Sequence, residues 1–212
     1  LAKSVLDVDK QLTELNTFLG QSSGGLAKFG DRLFDIANST ASSFNDVAEA
    51  AKEFARQGLS VTETLERTEK ALILSRISGL GAAESVNALT TAINSFNKSG
   101  LEASDIVNKL VKVDTNFAVS SNDLAQALTR VGSAAQDSGV GFDQLVAAVT
   151  AAQQTTGRGG AVIGNAFKTI FTRLKRPEVL ADLEALGVAV RDQNGYLLDG
   201  ISILSKIGRA HV

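Results

Sequence analysis

The chain has 212 residues, enough for one domain of ordinary size or for one domain with part of a neighbour. Apolar residues make up 44% and charged residues 21%, a globular rather than a disordered balance. A net charge of −2 excludes a general nucleic-acid coat but leaves room for a local basic site, and the absence of cysteine excludes disulfides, thiolate zinc sites and a cysteine nucleophile.

Pro occurs once, Trp and Met are absent, and Phe supplies ten of the aromatics against the single Tyr196. A core must therefore be built mostly from Leu, Ile, Val and Ala, and the abundance of Ala with so little Pro favours helix. No apolar run is long enough to span a bilayer, and no basic stretch followed by an apolar one marks a signal peptide. Leu1 already lies inside a helical pattern and reads as a cut end.

In chain order, the first 43 residues form a helical lead-in. Val5, Val8, Leu12, Leu15 and Leu19 advance by threes and fours, as do Leu26, Phe29, Leu33 and Ile36. That spacing gathers apolar groups on one helix face. Phe44, Val47, Ala51 and Phe54 continue the rule and open a region taken to run from 44 to 206.

From Gly58 a repeat appears. Gly58-Leu59-Ser60-Val61-Thr62-Glu63 resembles Gly79-Leu80-Gly81-Ala82-Ala83-Glu84 and Gly100-Leu101-Glu102-Ala103-Ser104-Asp105, at a spacing of 21 residues. Val119 to Leu124 and Val140 to Leu145 are weaker copies. In each unit a Gly ends one helix, where the left-handed conformation costs little. A polar residue starts the next: Ser60 with Glu63 is a capping box, and Ser120 with Asp123 a similar pair. Seams follow at Val86, Leu89, Ile93, Phe96; Ile106, Leu110, Val113, Phe117; Leu124, Leu128, Val131, Ala135; and Phe142, Leu145, Val149, Ala152. The expected class is mainly α, an array or bundle of short helices with Gly-terminated turns. A compact bundle and the start of a superhelical array both stay open.

After Gly157 the character changes. Arg158-Gly159-Gly160 leads into a helix expected from about Ala161 to Leu174, with Ile163, Phe167, Ile170 and Leu174 on its apolar face. Pro177 suits the first position of a short helix ending at Gly187. Val188-Ala189-Val190 and Tyr196-Leu197-Leu198 flank Asn194-Gly195, which predicts a small β-hairpin near the C-terminus. Ile201 to Ile207 starts a last helix. Residues 207–212, Ile-Gly-Arg-Ala-His-Val, are the peptide that ATC GGA AGA GCA CAC GTC would encode, the start of a common sequencing adapter. They are taken as a read-through artefact, which would remove the sole histidine, His211.

The chemistry-bearing candidates concentrate in one place. A Gly-rich loop before a helix can hold phosphate on free N–H groups, but Lys168-Thr169 follows Phe167 rather than Gly, and no strand precedes the loop, so the P-loop and dinucleotide patterns both fail. The preferred reading is steric: Gly157, Gly159 and Gly160 permit a tight reversal, and Gly164 a close helix approach. No Asp or Glu lies between Gln144 and Pro177, whereas Arg158, Lys168, Arg173, Lys175 and Arg176 do. Such a patch can meet DNA phosphates or an acidic protein surface. A solvated face is preferred over DNA and stands level with a protein partner. The carboxylates form no acid/base pair at an apolar cleft, and Asp105, Asp114, Asp123 and Asp143 sit at helix starts or ends, where Asp caps or solvates. No catalytic, cofactor-binding or metal residue is assigned, no cofactor is expected, and the chain is not read as an enzyme.

The run Thr155 to Gly160 followed by Gly164-Asn165-Ala166-Phe167-Lys168-Thr169-Ile170-Phe171-Thr172-Arg173-Leu174 resembles the core region of phage tail tape measure proteins. So do Ala181 to Val188 with Leu198-Asp199-Gly200, and upstream Phe54 to Gly58, Ala88 to Ala92, Ser95 to Asn97 and Asn116 to Leu124. The resemblance covers about 44 to 203, as an internal fragment of such a protein. It implies a helical scaffold in tail assembly whose length sets tail length and which takes part in genome ejection. The implied partners are the tail tube protein, tail assembly chaperones and tail tip proteins, with homo-oligomers in the tail lumen of the virion and assembly in the bacterial host cytoplasm. The runner-up is a non-catalytic helical binding module that contacts DNA or an acidic protein through 158–176.

Overall fold

The computed structural model describes residues 2–97 and 100–210, with side chains for 6–97 and 100–209. Leu1, His211, Val212 and the side chain of Val5 lie outside the described residues, and with them the readings placed on Leu1 and on the sole histidine. Eleven helices are present among the described residues, divided between two compact units whose boundary falls within the fifth and sixth helices.

The first unit takes in residues 1–90 and 102–108. It contains α1 (Ala2–Leu19), α2 (Ser23–Thr40), α3 (Phe44–Ala55), α4 (Val61–Ser78) and the opening turns of α5 (Ala82–Ser95) and α6 (Ala103–Asn116). The starts are set by side chains that accept otherwise orphaned N–H groups: Ser22 from Gly25, Ser43 from Asp46, and Ser60 with Glu63 in a reciprocal capping box. α4 stops at Gly79, whose φ of 72° is left-handed. α2 stops at Ala41, which takes φ 49° without being glycine. The expected seams turn inward. Leu15, Phe29, Leu33, Val47, Ala51, Phe54, Leu72 and Leu74 are all nearly inaccessible and form this unit's core. Lys52 closes α3 onto α1 through Glu14 at 2.6 Å.

The second unit takes in residues 91–101 and 109–212. Its helices are the remainder of α5 and α6, then α7 (Ser121–Asp137), α8 (Phe142–Thr156), α9 (Gly160–Leu174), α10 (Pro177–Ala185) and α11 (Gly200–Ala210). Leu124, Leu128, Val131 and Ala135 are buried along α7, as are Phe142, Leu145 and Val149 along α8. The α6 seam opens at its end, where Phe117 is 49% exposed. α7 and α9 run parallel in close contact. Asp123 meets Gly160, Ala127 meets Gly164, and Ser138 meets Phe171 in the same order along both helices. α8 is the return that makes a parallel pair possible.

The expected β-hairpin is not formed. Among the described residues there is no strand, only one isolated antiparallel bridge between Arg191 and Leu197. The reason is shortness. One arm begins at Gly187, where α10 has ended, and the other runs into Asp199, whose carboxylate accepts Ile201 and Ser202 N–H and so starts α11. Each arm has too few free residues for a ladder. The reversal itself is held by Asp192, whose Oδ1 accepts the N–H groups of Asn194 and Tyr196. Val188 and Val190 are buried with Leu174, Leu180 and Ile203, so the turn leans on helices rather than on a sheet.

Candidate functional site: the Gly-rich turn and the basic helix

The turn between α8 and α9 is built by backbone freedom. Gly157 caps α8 in the left-handed region at φ 67°, its N–H donating to Gln153 O at 2.8 Å. Gly159 is the N-cap of α9 and has no side chain to satisfy the orphan N–H groups. The satisfaction comes from another helix: Asp123 Oδ1 accepts the N–H of Gly160 at 2.6 Å. Asp123 Oδ2 accepts from Gln153 Nε2 of α8 at 2.6 Å and from the Ser120 hydroxyl at 3.0 Å. One carboxylate therefore ties α7, α8 and α9 together. Partial burial raises its pKa, but the donors from Gly160, Gln153 and Ser120 outweigh that and hold it below the usual aspartate value.

The glycines at 160 and 164 form the contact itself. A Cβ on Gly160 would fall 1.8 Å from Asp123 O, and one on Gly164 would fall 2.9 Å from both Cα and O of Ala127. Backbone meets backbone at both places, one helical turn apart. At the far end of the pair, the Ser138 hydroxyl donates to Phe171 O at 3.3 Å, and Gly200 N–H donates to Ser138 O at 2.9 Å.

The free N–H at the α9 N-terminus is thus taken by the protein's own Asp123 carboxylate. The sequence pairs Asp123 with Ser120 at the start of its own helix, and there Ser120 is the N-cap, its Oγ accepting the Asp123 N–H at 3.1 Å. The second role, 37 residues away, has no local signal.

Arg158, Lys168, Arg173, Lys175 and Arg176 are all exposed, and none belongs to an ion pair among the described residues. Arg158 stands at a groove of about 480 Å³ between α8 and α9, lined by Ala152, Val162, Ala166, Phe167 and Ile170. The other four follow the outer side and C-terminal end of α9. Among the described residues, no three His, Asp or Glu side chains are placed to hold a metal ion, and no helix is long and apolar enough to cross a membrane.

A chain of short helices joined by glycine stops, with its one Gly-rich motif spent on helix contact, has the build of a structural part. Residues 27–210 match the family of phage-related minor tail proteins, and the chain belongs to that family. It is similar to the tape measure protein of Pneumococcus phage Dp-1, at 20% identity over 190 residues. That alignment takes in 89% of this chain and 16% of the phage protein, so the chain spans about a sixth of the length of this curated relative. No solved structure matches it. Membership assigns the chain a structural role in the phage tail and a place in the virion.

Proposed function

We propose that this chain is a core segment of a tail tape measure protein, acting by assembly and contact rather than by catalysis. The observation that carries the reading is the family match across 27–210, which takes in both compact units. In this reading the tail tube protein polymerises around a longer chain of which this is part, with tail assembly chaperones and tail tip proteins as partners. Homo-oligomers fill the tail lumen after assembly in the host cytoplasm and leave it at genome ejection.

A ruler acts through chain length, so the test is one of length. In the phage that encodes this chain, codons for a stretch of helix are removed from the full-length gene, and in a second variant they are duplicated. Tail length is measured by electron microscopy. The expected result is a shorter tail for the first and a longer one for the second, by up to about 1.5 Å per residue if the added chain is helical. Tails of unchanged length in both variants would overturn the ruler.

A second reading, a helical binding module using 158–176, is favoured by the unpaired basic residues on α9.

A further inference from the structure

The two units differ in charge. The first carries 9 Lys and Arg against 14 Asp and Glu, and the second 12 against 9. The excess of the second unit is gathered on α9 and the turn that follows it. Asn165, Lys168, Thr169, Thr172 and Arg173 recur at helical spacing on α9, Arg176 follows just beyond its end as the N-cap of α10, and every one is exposed. Those on α9 form one polar arc away from the face that packs on α7. No carboxylate occurs between Asp143 and Glu178.

The close approach of the helices adds to this arc. Because Gly164 lets α9 lie against the α7 backbone, Arg130 of α7 comes alongside, its Cβ 3.2 Å from where a Gly164 Cβ would be. Arg130 is exposed, and its guanidinium donates only to Gln126 O, at 3.0 Å. Lys175 lies at the C-cap. Neither Asp137, at the end of α7, nor Glu178 forms an ion pair with Arg130, Lys168, Arg173, Lys175 or Arg176. Cations that could have been neutralised by neighbours are instead left open together. Thr169 and Thr172 donate their hydroxyl protons to Asn165 O and Lys168 O, so the arc offers charge rather than base-reading donors.

We infer that this outer face of α9, with Arg130 of α7, binds the phosphate backbone of duplex DNA without sequence preference. The spacing suits the ligand. Lys168 to Arg173 spans roughly 7.5 Å along the axis of α9, comparable with about two phosphates of one strand at ~3.4 Å each, and Lys175 and Arg176 extend the row beyond the helix end. Recognition by charge alone predicts weak binding at physiological salt and a steep loss with ionic strength. The inference rests on the basic stretch as a contact surface and not on the ruler. Loss of DNA binding would leave the tail-length result unchanged, so the two readings fail separately.

The test is fluorescence anisotropy of a labelled 20-base-pair duplex titrated with the 212-residue chain between 50 and 200 mM salt. The expected result is binding at 50 mM, with log K falling against log salt at a slope of about −3. The variant Lys168→Ala/Arg173→Ala/Arg176→Ala should lose at least tenfold in affinity at 50 mM and bring the slope to within about one unit of zero. Lys168→Arg/Arg173→Lys should retain both. All these positions are exposed, and an unchanged circular dichroism spectrum verifies the fold. Absence of binding at 50 mM, or a triple variant that binds as well as the parent, overturns the inference. Binding to poly-glutamate as tight as to the duplex also overturns it, in favour of an acidic protein partner.

Discussion

Asp123 and Gly160 are 37 residues apart in sequence and joined by a 2.6 Å hydrogen bond, the carboxylate of one helix capping the first N–H of another. Glycine at 160 is what allows it, since a Cβ there would lie 1.8 Å from Asp123 O. Gly160→Ala should therefore destabilise the chain by about 3 kcal/mol, because the obstructing atoms are backbone and cannot rotate away. Gly164→Ala, at 2.9 Å from Ala127, should cost about 1–2 kcal/mol. Gly24→Ala meets nothing within 4 Å and should be neutral or stabilising by up to about 0.5 kcal/mol. Urea midpoints of the three variants check the order, and equal midpoints for 160 and 24 would sink the account.

The same carboxylate gives a pH dependence. Its folded-state pKa is depressed, so its contribution to stability is present above the unfolded value of about 3.9 and is lost as pH falls through the folded value. Asp123→Asn should be less stable than the parent near neutral pH, and the gap should narrow as the pH falls below about 4. Denaturation midpoints measured at several pH values follow it; a gap that stays constant down to acid would assign the loss to packing rather than to charge.

Phe171 and Gly200 are coupled by space. Phe171 is fully buried, and a Cβ on Gly200 would lie 2.8 Å from its ring. Phe171→Ala should cost about 3–5 kcal/mol and Gly200→Ala about 1–2 kcal/mol. With Phe171→Leu in the background, Gly200→Ala should cost less than it does alone, since the smaller side chain can yield. Strict additivity in that double-mutant cycle would contradict the contact.

The reversal at 192–196 should be locally held and globally unimportant. Asp192→Ala removes the acceptor for Asn194 and Tyr196 N–H on an exposed turn. Hydrogen exchange at those two amides should quicken, while the thermal midpoint moves by no more than about 2 °C.

Much of this was legible in the residues. Apolar spacing placed the helices, and the seam residues of α5 and α7 with Phe142, Leu145 and Val149 of α8 are buried, whereas Ala152 is half-buried and Ala125, Ala127 and Val146 are buried without belonging to a seam. Ser60 with Glu63 forms the reciprocal box that its spacing predicts. Gly58, Gly79, Gly100 and Gly157 all take positive φ, as residues that stop helices do. What failed was the hairpin. Asn-Gly signals a reversal, but the paired length that makes a strand depends on where α10 ends and where Asp199 starts α11. At the site, the Gly-rich run was visible while its partner was not, because Asp123 and Ala127 reach Gly160 and Gly164 only through the tertiary pairing of α7 with α9. The open state of the cations is likewise a property of packing, since sequence gives charges but not which of them find a neighbour.

The parallel pairing of α7 with α9 also sets a timetable. A ribosome adding about 5–20 residues per second delivers Gly160 some 2–7 s after Asp123, given their separation of 37 residues. For that interval the side of α7 that α9 will cover, including the small surface of Ala127, has no partner from its own chain, whereas the residues of the first unit are complete once Asn108 has been made. The newborn chain therefore passes through a stage with one unit fully synthesised and a bare helix behind it, and a slower codon within α8 would lengthen that stage without altering a single contact of the finished protein.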